Sequence, residues 1–89
     1  IPAQFVLQQN YPNPFNPVTK ISYSIDRTSN VSLRLYDVRG SLVETLMSNR
    51  AQAGSHDYML DASHLSSGVY FYTMTVNNVS ETKKLILMK

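Results

Sequence analysis

The chain has 89 residues, of which 43% are apolar, 16% charged and 10% aromatic, and eight basic against six acidic side chains leave a net charge of +2. That length gives one domain with a thin core, and the share of Val, Ile, Thr, Tyr, Ser and Asn suits short strands and polar turns. The absence of cysteine excludes a disulfide framework, a zinc–thiolate site and a thiol nucleophile, and apolar runs of at most four residues, as in Leu85 to Met88, exclude a helix that spans a bilayer.

The opening Ile1-Pro2-Ala3 lacks an initiator Met and the basic start and apolar stretch of a signal peptide. A piece of a longer chain is therefore expected. The basic residues are scattered apart from Lys83, Lys84 and Lys89, so no nucleic-acid partner is expected.

Phe5-Val6-Leu7 reads as a small first strand. The segment from residue 10 to 17 holds three prolines in six positions, which forbids helix and central strand and favours an extended, stiff loop. Tyr11 and Phe15 are its expected anchors to the core. Thr19 to Ile25 alternates, with Ile21, Tyr23 and Ile25 on one side. Asp26 to Asn30 reads as a turn, and Val31 to Tyr36 as a third strand with Val31, Leu33 and Leu35 inward. Arg39-Gly40-Ser41 predicts a hairpin into a fourth strand, Leu42 to Met47, with Gly40 at positive φ.

Ser48 to Ser55 reads as a polar connection holding Gly54. His56 to Leu60 predicts a fifth strand with Tyr58 and Leu60 inward. Asp61 to Ser67 is a compact crossing, and Val69 to Val76 is expected to be the longest strand. Asn77-Asn78 suits a two-residue hairpin, since Asn tolerates positive φ, and Thr82 to Met88 closes the chain. Turn signals about every ten residues and no convincing helical period point to an antiparallel β-sandwich of about seven short strands. A tight turn at Asn77-Asn78 sets Glu81 opposite Met74 and Lys83 opposite Tyr72. Either that end of the face is exposed or a bulge shifts the pairing.

Tyr70 opens a strand just after a tight crossing. Its hydroxyl is expected to fold back onto a backbone group near Leu65, the tyrosine corner of immunoglobulin-like sandwiches. Little else carries chemistry. His56 and His64 have no second ligand at metal spacing, and Ser66-Ser67-Gly68 lacks a nucleophile elbow. Asp26, Asp37, Asp57 and Asp61 fall at turns or strand ends, where Asp bonds its own backbone. No cofactor, catalytic residue or metal ligand is expected. The tyrosines are accounted for by core filling, apart from Tyr36 and Tyr11. Asn30-Val31-Ser32 and Asn78-Val79-Ser80 match the glycosylation pattern at the frequency chance allows. The lysine-flanked Lys83-Lys84-Leu85-Ile86-Leu87-Met88-Lys89 reads either as a closing edge strand or as a strand offered to a receptor by strand addition.

Taken together, these motifs resemble those of one family, the type A C-terminal sorting domains of type IX secretion cargo in Bacteroidetes and related bacteria. The resemblance rests on Phe5 to Pro17 with its Tyr11-Pro12-Asn13-Pro14-Phe15 centre, on Thr19, Ile21 and Tyr23, on Leu35 to Gly40, and on Ala53-Gly54-Ser55-His56. It continues through Leu65-Ser66-Ser67-Gly68-Val69-Tyr70 and Lys84 to Lys89. Asn77-Asn78 stands where Gly is frequent, which bears on the turn type only.

The resemblance implies an immunoglobulin-like sandwich spanning residues 1–89, preceded by a cargo domain of the same precursor. It implies partners in the outer-membrane translocon, shuttle and sortase of that system. Delivery would be to the cell surface or medium, with any cut near or upstream of Ile1 and no catalysis by the domain. Tyr11, Pro12, Asn13, Pro14, Phe15, Gly40, Gly54, Gly68 and Tyr70 are the expected shape-setting residues. Lys84, Leu85, Leu87 and Lys89 are the expected recognition residues. The alternative reading is an immunoglobulin-like spacer or carbohydrate-binding module appended to a secreted enzyme.

Overall fold

A computed structural model describes residues 4–89. Seven strands follow in chain order: β1 (Phe5–Leu7), β2 (Val18–Ile25), β3 (Ser29–Tyr36), β4 (Leu42–Ala51), β5 (Gly54–Asp61), β6 (Gly68–Val76) and β7 (Val79–Leu87). They form one sheet in the order β1-β2-β5 and another in the order β4-β3-β6-β7, with every pair antiparallel. The chain changes sheet after β2, β4 and β5, which makes this an immunoglobulin-like sandwich.

Alternation explains the core. Ile21, Tyr23 and Ile25 from β2 meet Val31, Leu33 and Leu35 from β3 and Tyr72, Met74 and Val76 from β6, all buried. Period-2 placement puts each set on one face of its sheet, and burial of that face supplies the main driving force.

Two expectations about strand length change. β4 runs to Ala51 and, at ten residues, is longer than the nine of β6; only Gln52 and Ala53 remain between β4 and β5. The reason lies in β3, which starts at Ser29 and pairs with Ala51, so the polar stretch Ser48 to Arg50 satisfies its backbone in the ladder. β4 also carries register shifts beside Leu33/Arg34 and Leu35/Tyr36. Val43 and Leu46 are the extra residues, and both pack against the core.

The register beyond Asn77-Asn78 holds with no bulge: Met74 faces Glu81 and Tyr72 faces Lys83. Tyr72 and Met74 are fully buried while Glu81 and Lys83 are half-exposed and pair at 3.5 Å. Because β7 is the sheet's edge, its inward-facing charges reach water past the rim of the core. Asn77 takes φ 56°, as the tight turn requires.

Candidate functional site

The Pro-rich segment and the terminal strand, far apart in sequence, form one structure. From Gln8 the chain leaves β1 and follows β2, where Tyr11 and Lys20 exchange backbone bonds of 3.0 and 2.9 Å. It then crosses to the other sheet. Phe15 N–H donates to Ile86 O at 3.0 Å, Met88 N–H donates to Phe15 O at 2.9 Å, and Phe15 bridges Leu87 in parallel. Asn13 Oδ1 accepts the Ile86 N–H at 2.9 Å, and Gln9 Nε2 donates to Lys84 O at 2.6 Å. The segment is thus a strap that covers part of an edge which would otherwise expose unpaired backbone. Prolines suit it, because an extended strap needs few of its own N–H groups.

A buried polar cluster pins the strap. The Tyr72 hydroxyl donates to Gln8 O at 2.8 Å and accepts the Asn10 N–H at 2.8 Å. Asn10 Nδ2 donates to Thr19 Oγ1 at 3.0 Å and to Pro12 O at 3.2 Å, and Thr19 Oγ1 donates to Pro12 O at 2.9 Å. Asn10 and Thr19 are 2% and 1% exposed, so each bond replaces water that burial has removed. Burial pushes the Tyr72 phenol up to about 12, against the lowering effect of its bond to Asn10. Sequence reasoning missed Asn10, Thr19 and Tyr72 as a unit. One signal was available: Thr19 shares the inward parity of Ile21 and Tyr23, and a polar residue there needs a partner.

Tyr11 does not anchor the segment by its ring, which is 77% exposed. Its backbone does the holding, while the neighbouring Asn10 turns inward to the cluster. Phe15 is buried as expected. Pro12 contributes its carbonyl, and Pro14 lies exposed on the strap.

Leu85 and Leu87 are each 1% exposed. Their parity in β7 turns them into the core, so the folded domain does not offer their side chains at its surface. Lys84 is exposed on the outer face. Lys89 is exposed yet tethered, with Nζ donating to Ser63 O at 2.7 Å and its N–H donating to Ser67 Oγ at 3.0 Å.

Those serines belong to the crossing between β5 and β6. The crossing is also held by Ala62 N–H to Pro17 O at 2.8 Å and by the Tyr70 hydroxyl to Ser66 O at 2.7 Å. The tyrosine corner therefore forms one residue beyond Leu65. Asp61 Oδ1 accepts the Ser63 N–H at 3.0 Å, which holds its carboxyl below the usual range, with smaller help from His64 and Lys89. Gly68 opens β6 opposite Leu87.

Strap, crossing and terminal lysine thus converge at one end of the sandwich. Gly40 shapes the β3–β4 hairpin. It sits at φ 83° and donates to Asp37 O, while Asp37 Oδ1 accepts the N–H groups of Arg39 and Ser41. Gly54 opens β5 at the opposite end, beside Ile25.

Among the described residues no group of three or more His, Cys, Asp or Glu converges on a metal-sized site. His64 Nε2 lies 2.9 Å from Glu44 in an exposed pair, and His56 stacks on Tyr23. A concave region of about 570 Å³ on the outer face of the four-stranded sheet is lined by Asn30, Asn49, Arg50, Thr75 and Asn77 among others, with no carboxylate or imidazole. Among the described residues no helix is long and apolar enough to cross a membrane.

Comparison with known proteins agrees with this geometry. Among solved structures, the crystal structure of dimeric latent PorU from Porphyromonas gingivalis matches with a TM-score of 0.78 at 19% identity. The match covers 99% of this chain and 10% of that one, so the chain spans about a tenth of the length of the protein it resembles and the likeness concerns the fold. No curated protein matches the chain. The family model described as "Secretion system C-terminal sorting domain" matches residues 9–88, a span that starts at the strap and ends one residue before the tethered lysine. The chain belongs to the type IX secretion system's C-terminal sorting domains.

Proposed function

We propose that the domain is a non-catalytic address label: it directs a larger protein preceding it across the outer membrane and is read in its folded state by the translocon of the type IX system. The observation that carries this reading is the family match over residues 9–88. The convergence of strap, crossing and tail adds support, because a receptor meets them as one preorganised patch at low ordering cost.

Lys84 and Lys89 are the recognition residues of this proposal. Asn13, Pro14, Gly40, Gly54, Gly68 and Tyr70 set the shape that presents them, and Leu85 and Leu87 contribute by holding β7 in the core. The cargo attaches at the other end: Phe5 pairs with Ile25, which pairs with Gly54, whereas Val18 pairs with Asp61 beside the crossing. The eight residues of β2 separate the two ends by roughly 23 Å, so a folded cargo leaves the tail accessible. A surface sortase then removes the label, and the cargo is released or attached to surface lipopolysaccharide. The expected cut, near or upstream of Ile1, lies outside the described residues.

The test is a fusion of the 89-residue chain to a periplasmic reporter in a bacterium that has the system. Deleting Leu85 to Lys89 removes two core residues, so loss of export by that variant would not separate misfolding from lost recognition. Lys84→Ala with Lys89→Ala touches exposed side chains only. Surface delivery should fall several-fold while the melting temperature moves little. Undiminished export of the double variant would end the lysine assignment. Failure of the intact fusion to export would end the sorting reading itself.

A further inference from the structure

The outer edge of β7 is divided in two. Lys84 O, Ile86 N, Ile86 O and Met88 N all bond outward to the strap. The even-numbered residues of this strand therefore turn their backbone groups away from β6. Pairing with β6 runs without a register shift from Leu87 to Val79, so Ser80 and Thr82 point their N–H and C=O groups the same way, as does the Lys84 N–H. Among the described residues no hydrogen bond reaches these groups. The open window is bounded by the Asn77-Asn78 turn on one side and by the strap on the other. Its central residue is Thr82.

The window reads Ser80-Glu81-Thr82-Lys83-Lys84, and it is complementary to itself. An antiparallel second copy related by a two-fold axis at Thr82 sets Thr82 against Thr82, Ser80 against Lys84 and Glu81 against Lys83. The Thr82 residues exchange both backbone bonds, and each Lys84 N–H reaches the other copy's Ser80 carbonyl, while Gln9 keeps Lys84 O. Glu81 and Lys83 form the closer, non-hydrogen-bonded pairs, where cross-strand charges interact most.

The alternative axes fail. A centre at Glu81 or Lys83 would still engage outward-facing backbone groups, but it sets Glu81 against Glu81 or Lys83 against Lys83 in the closer, non-hydrogen-bonded position, where like charges repel most. A centre at Lys84 meets the strap. The edge also carries no register shift, unlike β4, whose two shifts disturb its ladder.

We infer that the chain forms a two-fold dimer through Ser80 to Lys84, joining two four-stranded sheets into one. The occupant of the edge is a second copy, because the free window is centred on the one residue about which its charges pair with opposite sign. This inference stands apart from the sorting role.

Sedimentation equilibrium on the 89-residue chain tests it, together with cysteine variants in a chain that has none of its own. The wild-type chain should show a concentration-dependent monomer–dimer equilibrium. Glu81→Lys or Lys83→Glu alone should raise the dimer Kd about tenfold, since two pairs turn repulsive. The two changes combined should restore it to within about threefold. Thr82→Cys should oxidise to a covalent dimer, because the facing Cα atoms lie about 5.5 Å apart, within disulfide reach. Ser80→Cys, with its copies roughly 14 Å apart, should remain uncrosslinked.

Circular dichroism confirms that each variant folds. A chain that stays monomeric from about 1 µM to about 1 mM overturns the inference. So does a dimer that ignores the charge reversals, or one that crosslinks as readily through Ser80→Cys as through Thr82→Cys.

Discussion

Tyr72→Phe removes one oxygen from the centre of the molecule and should have an effect larger than its size suggests. The Tyr72 ring is fully buried and stays so in the variant, which makes the hydroxyl the only group lost. Two partners are then orphaned, the Asn10 N–H and Gln8 O, each 2.8 Å from the oxygen. A buried donor left unsatisfied costs about 1–3 kcal/mol. Gln8 lies at the surface and its carbonyl can turn to water, so the greater part falls on Asn10. The expected loss is about 2–3 kcal/mol, or roughly 10–20 °C in Tm for a domain of this size.

A second signature comes from pH. Burial raises the Tyr72 pKa from 10.0 to about 12, so the unfolded chain ionises first as the solution becomes alkaline. The stability that Tyr72 supplies is therefore complete below pH 10 and declines as the pH climbs from 10.0 toward about 12. Tyr23 and Tyr58 are also raised by burial but are present in both proteins, so the difference between wild type and variant isolates Tyr72. Urea unfolding of both proteins at about pH 8 and about pH 11 should show a gap that narrows at the higher value. A gap under about 0.5 kcal/mol at neutral pH, within the range of an inert surface change, or a gap that stays constant with pH, would refute the view that this hydroxyl pins the strap.

The remaining expectations follow from the same contacts. Phe15→Ala should cost about 3–5 kcal/mol by urea unfolding, and Asn13→Ala about 1 kcal/mol. In the Asn13 variant hydrogen exchange should quicken at the Ile86 amide and not at Leu85, whose N–H points into the sheet. Tyr70→Phe should lose about 1 kcal/mol by releasing the Ser66 carbonyl, and its Tm should recover none of this with salt, because no ion pair is involved. Asp61 titrates below the ordinary aspartate value of 3.8, so the bond to Ser63 supports the fold above that pH and is lost as the pH falls through the lowered pKa. An NMR titration should place the Asp61 midpoint below the ordinary aspartate value, and Ser63→Pro, which removes the donor N–H, should bring it back up.

Local chemistry made much of this molecule legible. The two-residue period of Ile21-Tyr23-Ile25 and Val31-Leu33-Leu35 told which side chains turn inward, since a strand offers each residue only two faces. Gly40 and the two asparagines at positions 77 and 78 marked hairpins by their tolerance of positive φ, and the run of prolines excluded regular structure from residue 10 to 17. The motifs of the sorting family were readable for the same reason: turns and strap demand particular residues at particular places. The likeness of β4 to a short strand misled, because its bulges hide the alternation and only the ladder to β3 carries the strand on to Ala51.

What no pattern along the chain reveals is which unpaired backbone groups find one another. Asn10 and Tyr11 are neighbours in the same extended segment, yet one is 2% and the other 77% exposed. That choice depends on the Tyr72 hydroxyl and on Thr19, which arrive from β6 and β2 after the sheets stack. Likewise Leu85 and Leu87 read as a recognition motif in sequence, and become core only because β7 pairs with β6 in the register its turn imposes. Side-chain parity is a property of the local chain. The satisfaction of buried donors and acceptors is a property of the assembled whole, because the partners of each group are contributed by strands distant in sequence.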